Sequence, residues 1–133
     1  MSKRLSRILI VDDEKITTRL LRMTLEQTGK YEVRAENDSR QVVAAALDFR
    51  PDLIVLDVIM PDMDGGDVAA ALKNEPALTS VPIIFLTATV RKSEVDARGG
   101  VLGGYPFLAK PASTHSIVEF IDKHLPPDAP SGD

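Results

Sequence analysis

Three acids, one hydroxyl and one amine stand at the ends of apolar runs in this chain. Asp12 and Asp13 follow Ile8-Leu9-Ile10-Val11, Asp57 follows Leu53-Ile54-Val55-Leu56, Thr87 follows Ile83-Ile84-Phe85-Leu86, and Lys110 follows Phe107-Leu108-Ala109. Taken singly each has a plain role: Asp12-Asp13 as a helix cap, Asp57 as the first residue of a loop, Thr87 as a strand-end hydroxyl, Lys110 as a solvated base. Gathered at one edge they make a site. Three carboxylates at close range repel by about 4 kcal/mol per pair at an effective dielectric near 20, so a cation must sit among them. All-oxygen ligands suit a hard divalent ion, and Mg²⁺ suits a site with few protein ligands that shares a phosphate. With that charge shielded, one carboxylate can attack a phosphoryl group, while the amine and hydroxyl bind the transferred oxygens. His115 and His124 fall in the last helix and read as surface residues, and there is no cysteine, so zinc is not expected.

The elements that must position these groups are legible from apolar spacing. Runs that are apolar at every position read as strands buried on both faces, and three of them start at Ile8, Leu53 and Ile83. Tyr31 to Ala35 alternates as an edge strand, and Tyr105 to Ala109 is the last strand, with Pro106 tolerable only near its start or on a sheet edge. Between them come helices. Ile16, Leu20, Leu21, Met23 and Leu25 recur at helical spacing up to Gly29; Asn37-Asp38-Ser39 offers caps before Val42, Val43, Ala46 and Leu47. Asp62 to Gly66 reads as a turn and Val68 to Leu72 as a helix closed by Pro76; Arg91 to Arg98 forms a short helix interrupted by Gly99-Gly100 and Gly103-Gly104. Ser113 caps a final helix with Ile117, Val118, Ile121 and Leu125 inward. Five strand and helix units in alternation imply a doubly wound five-stranded parallel α/β sheet with helices on both faces. Such sheets carry their sites at the carboxyl ends of the strands.

The whole chain sets wider bounds. Its 133 residues make one domain, expected over residues 1–125, with 126–133 a disordered tail or the start of a linker. A net charge of −4 argues against direct nucleic-acid binding by this domain, and no apolar run is long enough for a membrane span or a signal peptide. A cytoplasmic location fits the absence of cysteine.

Val11-Asp12-Asp13-Glu14, Leu56-Asp57-Val58-Ile59-Met60-Pro61-Asp62-Met63-Asp64-Gly65, Leu86-Thr87-Ala88 and Lys110-Pro111 together resemble a response-regulator receiver domain of two-component signalling, over roughly residues 7 to 125. The resemblance implies the flavodoxin-like (βα)5 receiver fold and a phosphorylation-activated switch. Asp57 is then the phosphoacceptor, and Asp12, Asp13, Asp57 and the backbone carbonyl of Ile59 hold Mg²⁺, with Mn²⁺ as a substitute. Thr87 is the switch hydroxyl, Lys110 the phosphoryl-binding base and Phe107 the switch aromatic. A cis Lys110–Pro111 bond is also implied. The implied donor is a sensor histidine kinase or histidine phosphotransfer protein. The downstream effector is unspecified, and a phosphorylation-dependent homodimer is one form the output can take. Such a chain catalyses only its own phosphorylation and dephosphorylation. Ile59 and Ala88 offer no polar side chain to orient a water, which implies slow loss of phosphate.

Three departures from the family's pattern bear on output: Gly66 loosens the start of the third helix, the paired glycines shorten the fourth, and Phe107 replaces a commoner tyrosine. Two rival functions are distinguishable. A haloacid-dehalogenase-type phosphatase places a second Asp two residues after its nucleophile, where this chain has Ile59. A docking module that signals without phosphorylation is expected to have lost one of the five chemical residues, and none is missing.

Overall fold

The computed structural model describes residues 5–57, 65–87, 101–102, 105–109 and 113–126. Strands β1 (Ser6–Val11), β2 (Tyr31–Glu36), β3 (Leu53–Leu56), β4 (Ile83–Thr87) and β6 (Tyr105–Ala109) are parallel neighbours in the order β2-β1-β3-β4-β6. The expected doubly wound sheet is therefore present. One pairing was not expected: Val101–Leu102 forms a short strand, β5, antiparallel to the start of β6, with Val101 opposite Pro106. The glycine pairs around it erase any apolar run, which is why the spacing gives no strand there. Among the described residues the helices are α1 (Lys15–Glu26), α2 (Val42–Phe49), α3 (Gly65–Asn74) and α4 (Thr114–His124).

Alternation along the central strands divides the core in two. Leu9, Val11, Ile54, Leu56, Phe85 and Phe107 join Val42 and Ala46 of α2 and Val68, Ala69 and Leu72 of α3. Ile8, Ile10, Val55 and Ile84 point the other way, to Leu25 of α1 and Ile121 of α4. Neighbouring residues of one strand thus serve opposite layers, so a run with no polar position is what a central strand of this fold requires. β2 lies at the edge and keeps its alternation, with Tyr31 and Val33 buried and Glu32 exposed.

Two helices differ from expectation. In α1 Leu25 is buried and Leu21 packs against the core, but Ile16, Leu20 and Met23 are 75%, 59% and 50% exposed. Helical spacing alone does not say which of two apolar stripes faces inward. α3 starts at Gly65, so Gly65 and Gly66 are helical instead of belonging to a turn. A helix's first N–H groups have no intrahelical partner anyway, Asp67 complements the dipole there, and burial of Val68, Ala69 and Leu72 offsets the glycine penalty of about 1 kcal/mol each. The predicted helix at 91–98, the glycines at 99–100 and 103–104, residues 62–64 of the predicted turn and the segment 127–133 of the tail lie outside the described residues. The Ser113 cap falls as expected, its Oγ accepting from the Ser116 N–H at 3.1 Å, whereas Asp38 accepts from the Arg40 N–H at the head of a 3₁₀ turn, Ser39–Gln41, and α2 itself begins after Gln41 with no side-chain cap bond.

At the edge opposite the acids, α4 is tied to β2. The Tyr31 hydroxyl donates to Asp122 Oδ1 at 2.5 Å, and Lys30 pairs with the same carboxylate. Burial first, then the Asp122 contact, pushes the Tyr31 phenol well above its usual value. A raised native pKa keeps its stability contribution below the unfolded value of 10.0 and loses it as pH rises beyond. Urea unfolding at pH 8 and 10.5 is expected to show a larger drop for the parent than for Tyr31→Phe, and Tyr31→Phe should cost about 1 kcal/mol at pH 8. Equal drops in the two proteins would remove Tyr31 from the account.

Candidate functional site

The register of the sheet decides which strand-end residues meet. Val11 pairs with Leu56, and the Asp57 N–H donates to the Val11 carbonyl at 2.9 Å, one rung beyond the strand proper. That backbone bond sets Asp57 beside Asp12. Leu56 pairs with Phe85, so Asp57 stands level with Leu86, and Thr87 lies one residue further along β4. Thr87 in turn pairs with Ala109, the last residue of β6, after which the chain continues to Lys110. Lys110, Pro111 and Ile59 lie outside the described residues. Phe107 pairs with Phe85 and is 1% exposed, packed in the core layer that also holds Val11 and Leu56.

The acids come together. One carboxylate oxygen from each of Asp12, Asp13 and Asp57 lies within 4.8 Å of the others, with Asp12 buried, Asp57 half-buried and Asp13 exposed. Oxygens around one Mg²⁺ at ~2.0–2.1 Å stand about 2.9 Å apart when adjacent and about 4.2 Å apart when opposite, so the cluster fits an octahedral ion after a small inward movement. The donor set, oxygen only and triply anionic, fits Mg²⁺ or Mn²⁺ and not a soft metal. His115 pairs with Glu119 and is exposed, as read, whereas His124 is half-buried against Phe120, its Nδ1 2.8 Å from the Phe120 carbonyl. Neither joins the acids.

Asp12 and Asp13 are not the helix cap. The N-cap of α1 is Glu14, without a side-chain cap bond, and Asp12 Oδ1 accepts the Glu14 N–H at 3.0 Å across a two-residue turn. That bond holds the Asp12 side chain against its own backbone while leaving acceptor capacity for an ion. One contributor escapes a reading by residue type: Asn37, one of three potential caps, turns its amide back onto the acid turn, whereas Asp38 caps the 3₁₀ turn that precedes α2. Nothing in the spacing of Asn37-Asp38-Ser39 distinguishes the two.

Residues 8–122 match the family described as response regulator receiver domain. The chain belongs to the response-regulator receiver family. It is 38% identical over 114 residues to the probable transcriptional regulatory protein TcrX of Mycobacterium tuberculosis, covering 84% of this chain and 46% of that one. It is 29% identical to Protein PilG of Pseudomonas aeruginosa, covering 93% of this chain and 90% of PilG. The chain thus spans about half the length of one relative and most of the other. Among solved structures, chemotaxis protein CheY4 of Vibrio cholerae superposes with a TM-score of 0.78 at 28% identity, covering 92% of this chain and all of CheY4. No described helix of this receiver domain is long and apolar enough to cross a membrane.

The crowding of the acids has a measurable consequence in chelator-treated protein. Asp13 is exposed, so its repulsion with the other two lies near the solvent limit of about 1 kcal/mol per pair, below the ~4 kcal/mol of a partly buried pair. With two such pairs removed, Asp13→Asn is expected to stabilise the metal-free protein by about 1–2 kcal/mol in urea unfolding. A neutral or destabilising result would mean that the acids do not repel appreciably.

Proposed function

We propose that this receiver domain is a phosphorylation-activated switch that accepts a phosphoryl group on Asp57 from a phosphohistidine of a sensor kinase or phosphotransfer protein. The observation that carries the reading is the meeting of Asp12, Asp13 and Asp57 within 4.8 Å at the carboxyl edge of the sheet. One Asp57 oxygen attacks phosphorus, the O–P bond forms as the N–P bond to the donor imidazole breaks, and the imidazole leaves with its electron pair. Asp12 and Asp13, with Asp57 and the Ile59 carbonyl, would hold Mg²⁺, which supplies charge neutralisation for the phosphoryl oxygens. Lys110 binds another of those oxygens. The Thr87 hydroxyl donates to the remaining one once its loop moves inward.

Phosphorylation replaces the single charge of the Asp57 carboxylate with an acyl phosphate carrying close to two, beside acids that already repel one another. Lys110 and Thr87 satisfy that charge only in the inward arrangement, which biases a two-state equilibrium. Moving it from 1:99 to 99:1 requires a preference of about 5.5 kcal/mol, within reach of a few charge-assisted hydrogen bonds. Phe107, paired beside Phe85 on β6, is the aromatic ring closest in sequence to Lys110 and follows the displacement of Thr87. The output surface is then β6 with the helices and loops beside it. The effector that reads it and any phosphorylation-dependent dimer belong to the same proposal.

Incubation with acetyl phosphate and Mg²⁺ is expected to add one phosphoryl group by intact-protein mass spectrometry, with none on Asp57→Asn. Lys110→Ala should still accept phosphate slowly but lose the conformational response. Phosphoryl mass on Asp57→Asn equal to the parent's would sink the assignment of the acceptor.

A further inference from the structure

The Asp12–Asp13 peptide is held from outside its own turn. Asn37, the first residue after β2, uses both hydrogens of its amide: Nδ2 donates to the Asp12 carbonyl oxygen at 2.9 Å and to Thr18 Oγ1 at 2.8 Å. Thr18 is buried in α1, and its hydroxyl, having accepted from Asn37, donates to the Lys15 carbonyl at 3.1 Å. Asn37 is itself fixed. Its N–H and that of Asp38 both donate to Glu36 Oε2 at 3.1 Å, and the Glu36 carbonyl accepts the Asp12 N–H at 3.3 Å. The end of β2 thus grips the acid turn on both sides of Asp12.

The gripped carbonyl belongs to the peptide unit between Asp12 and Asp13. Its orientation sets the ψ of Asp12 and the φ of Asp13, and so the directions in which both side chains leave the backbone. Without a cation the three carboxylates repel, and the soft response is for this peptide to rotate and let them splay. A hydrogen bond to the carbonyl oxygen opposes that rotation. We propose that Asn37 is a positioning residue for the divalent cation, holding the Asp12–Asp13 peptide so that both carboxylates stay turned toward Asp57. Partners of this kind, one shell out from a metal's ligands, typically change metal affinity by about 10- to 100-fold when removed. The inference rests on the phosphoacceptor reading of the acid cluster.

The test is calorimetric titration of Mg²⁺ into the full chain, with urea unfolding of the same proteins in chelator. Asn37→Ala and the milder Asn37→Ser are expected to bind Mg²⁺ about tenfold more weakly than the parent. Thr18→Val removes the link between α1 and β2 without touching the Asp12 carbonyl, and should lose stability while binding Mg²⁺ close to the parent value. Phosphorylation of Asn37→Ser by acetyl phosphate should need more Mg²⁺ for half its maximal rate but approach the parent's rate at saturation. If Asn37→Ala does not fold, Asn37→Ser decides. Parental Mg²⁺ affinity in the Asn37 variants overturns the proposal, as does an equal weakening in Thr18→Val, which would mark a general loosening. If the parent itself binds no Mg²⁺, the phosphoacceptor reading falls and this inference with it; parental binding with unaffected variants sinks the inference alone.

Discussion

Gathering three carboxylates within 4.8 Å is the constraint around which the rest of this molecule is arranged. No isolated loop would hold that arrangement, because repulsion among like charges is relieved by a few degrees of backbone rotation. Here the backbone is not free to yield. Asp57 is fixed by the hydrogen bond from its N–H to Val11, and Asp12 by bonds on its N–H, its carbonyl and its own carboxylate. The favourable energy comes from the apolar strands behind, whose residues from Ile8 to Val11 and Leu53 to Leu56 are at most 2% exposed. Burial drives the sheet together, and the sheet holds the acids against their own charge.

The two core layers contribute unequally to that task. The central strands β1 and β3 position the acids directly, since each passes from a buried aliphatic residue to a carboxylate in a single step. The helices mainly supply cover. α1 is the exception, because its first residues continue from the acid turn and its Thr18 reaches back to Asn37. A perturbation of the turn is therefore felt both at the end of β2 and along α1.

Much of this could be read from residue types. Ile8 to Val11 and Leu53 to Leu56 have no polar interruption, a pattern that only a two-sided burial explains, and the acids follow at once. The Ser113 cap and the alternation from Tyr31 to Val33 were equally plain, because capping and edge alternation are local. What escaped was set by contacts distant in sequence. Ile16, Leu20 and Met23 satisfy helical spacing as well as Leu25 does, and only the position of the sheet says which stripe is covered. Val101–Leu102 is too short and too closely bracketed by glycine to register as a strand before its partner is known. Asn37 and Asp38 are near-equivalent as caps, yet 25 residues of separation in sequence vanish when Asn37 meets Asp12.

The rung between Asp57 and Val11 has one more implication. Side chains in a strand alternate with a period of two, so slipping β3 by a single residue against β1 would exchange the layers its side chains face and carry Asp57 away from Asp12 and Asp13. Because β3 is apolar at all its positions, such a slip would keep both layers apolar and cost the core only its fit, while the acid cluster would come apart. The meeting of the acids is thus a stricter mark of register than the hydrophobic pattern of the strand that carries Asp57.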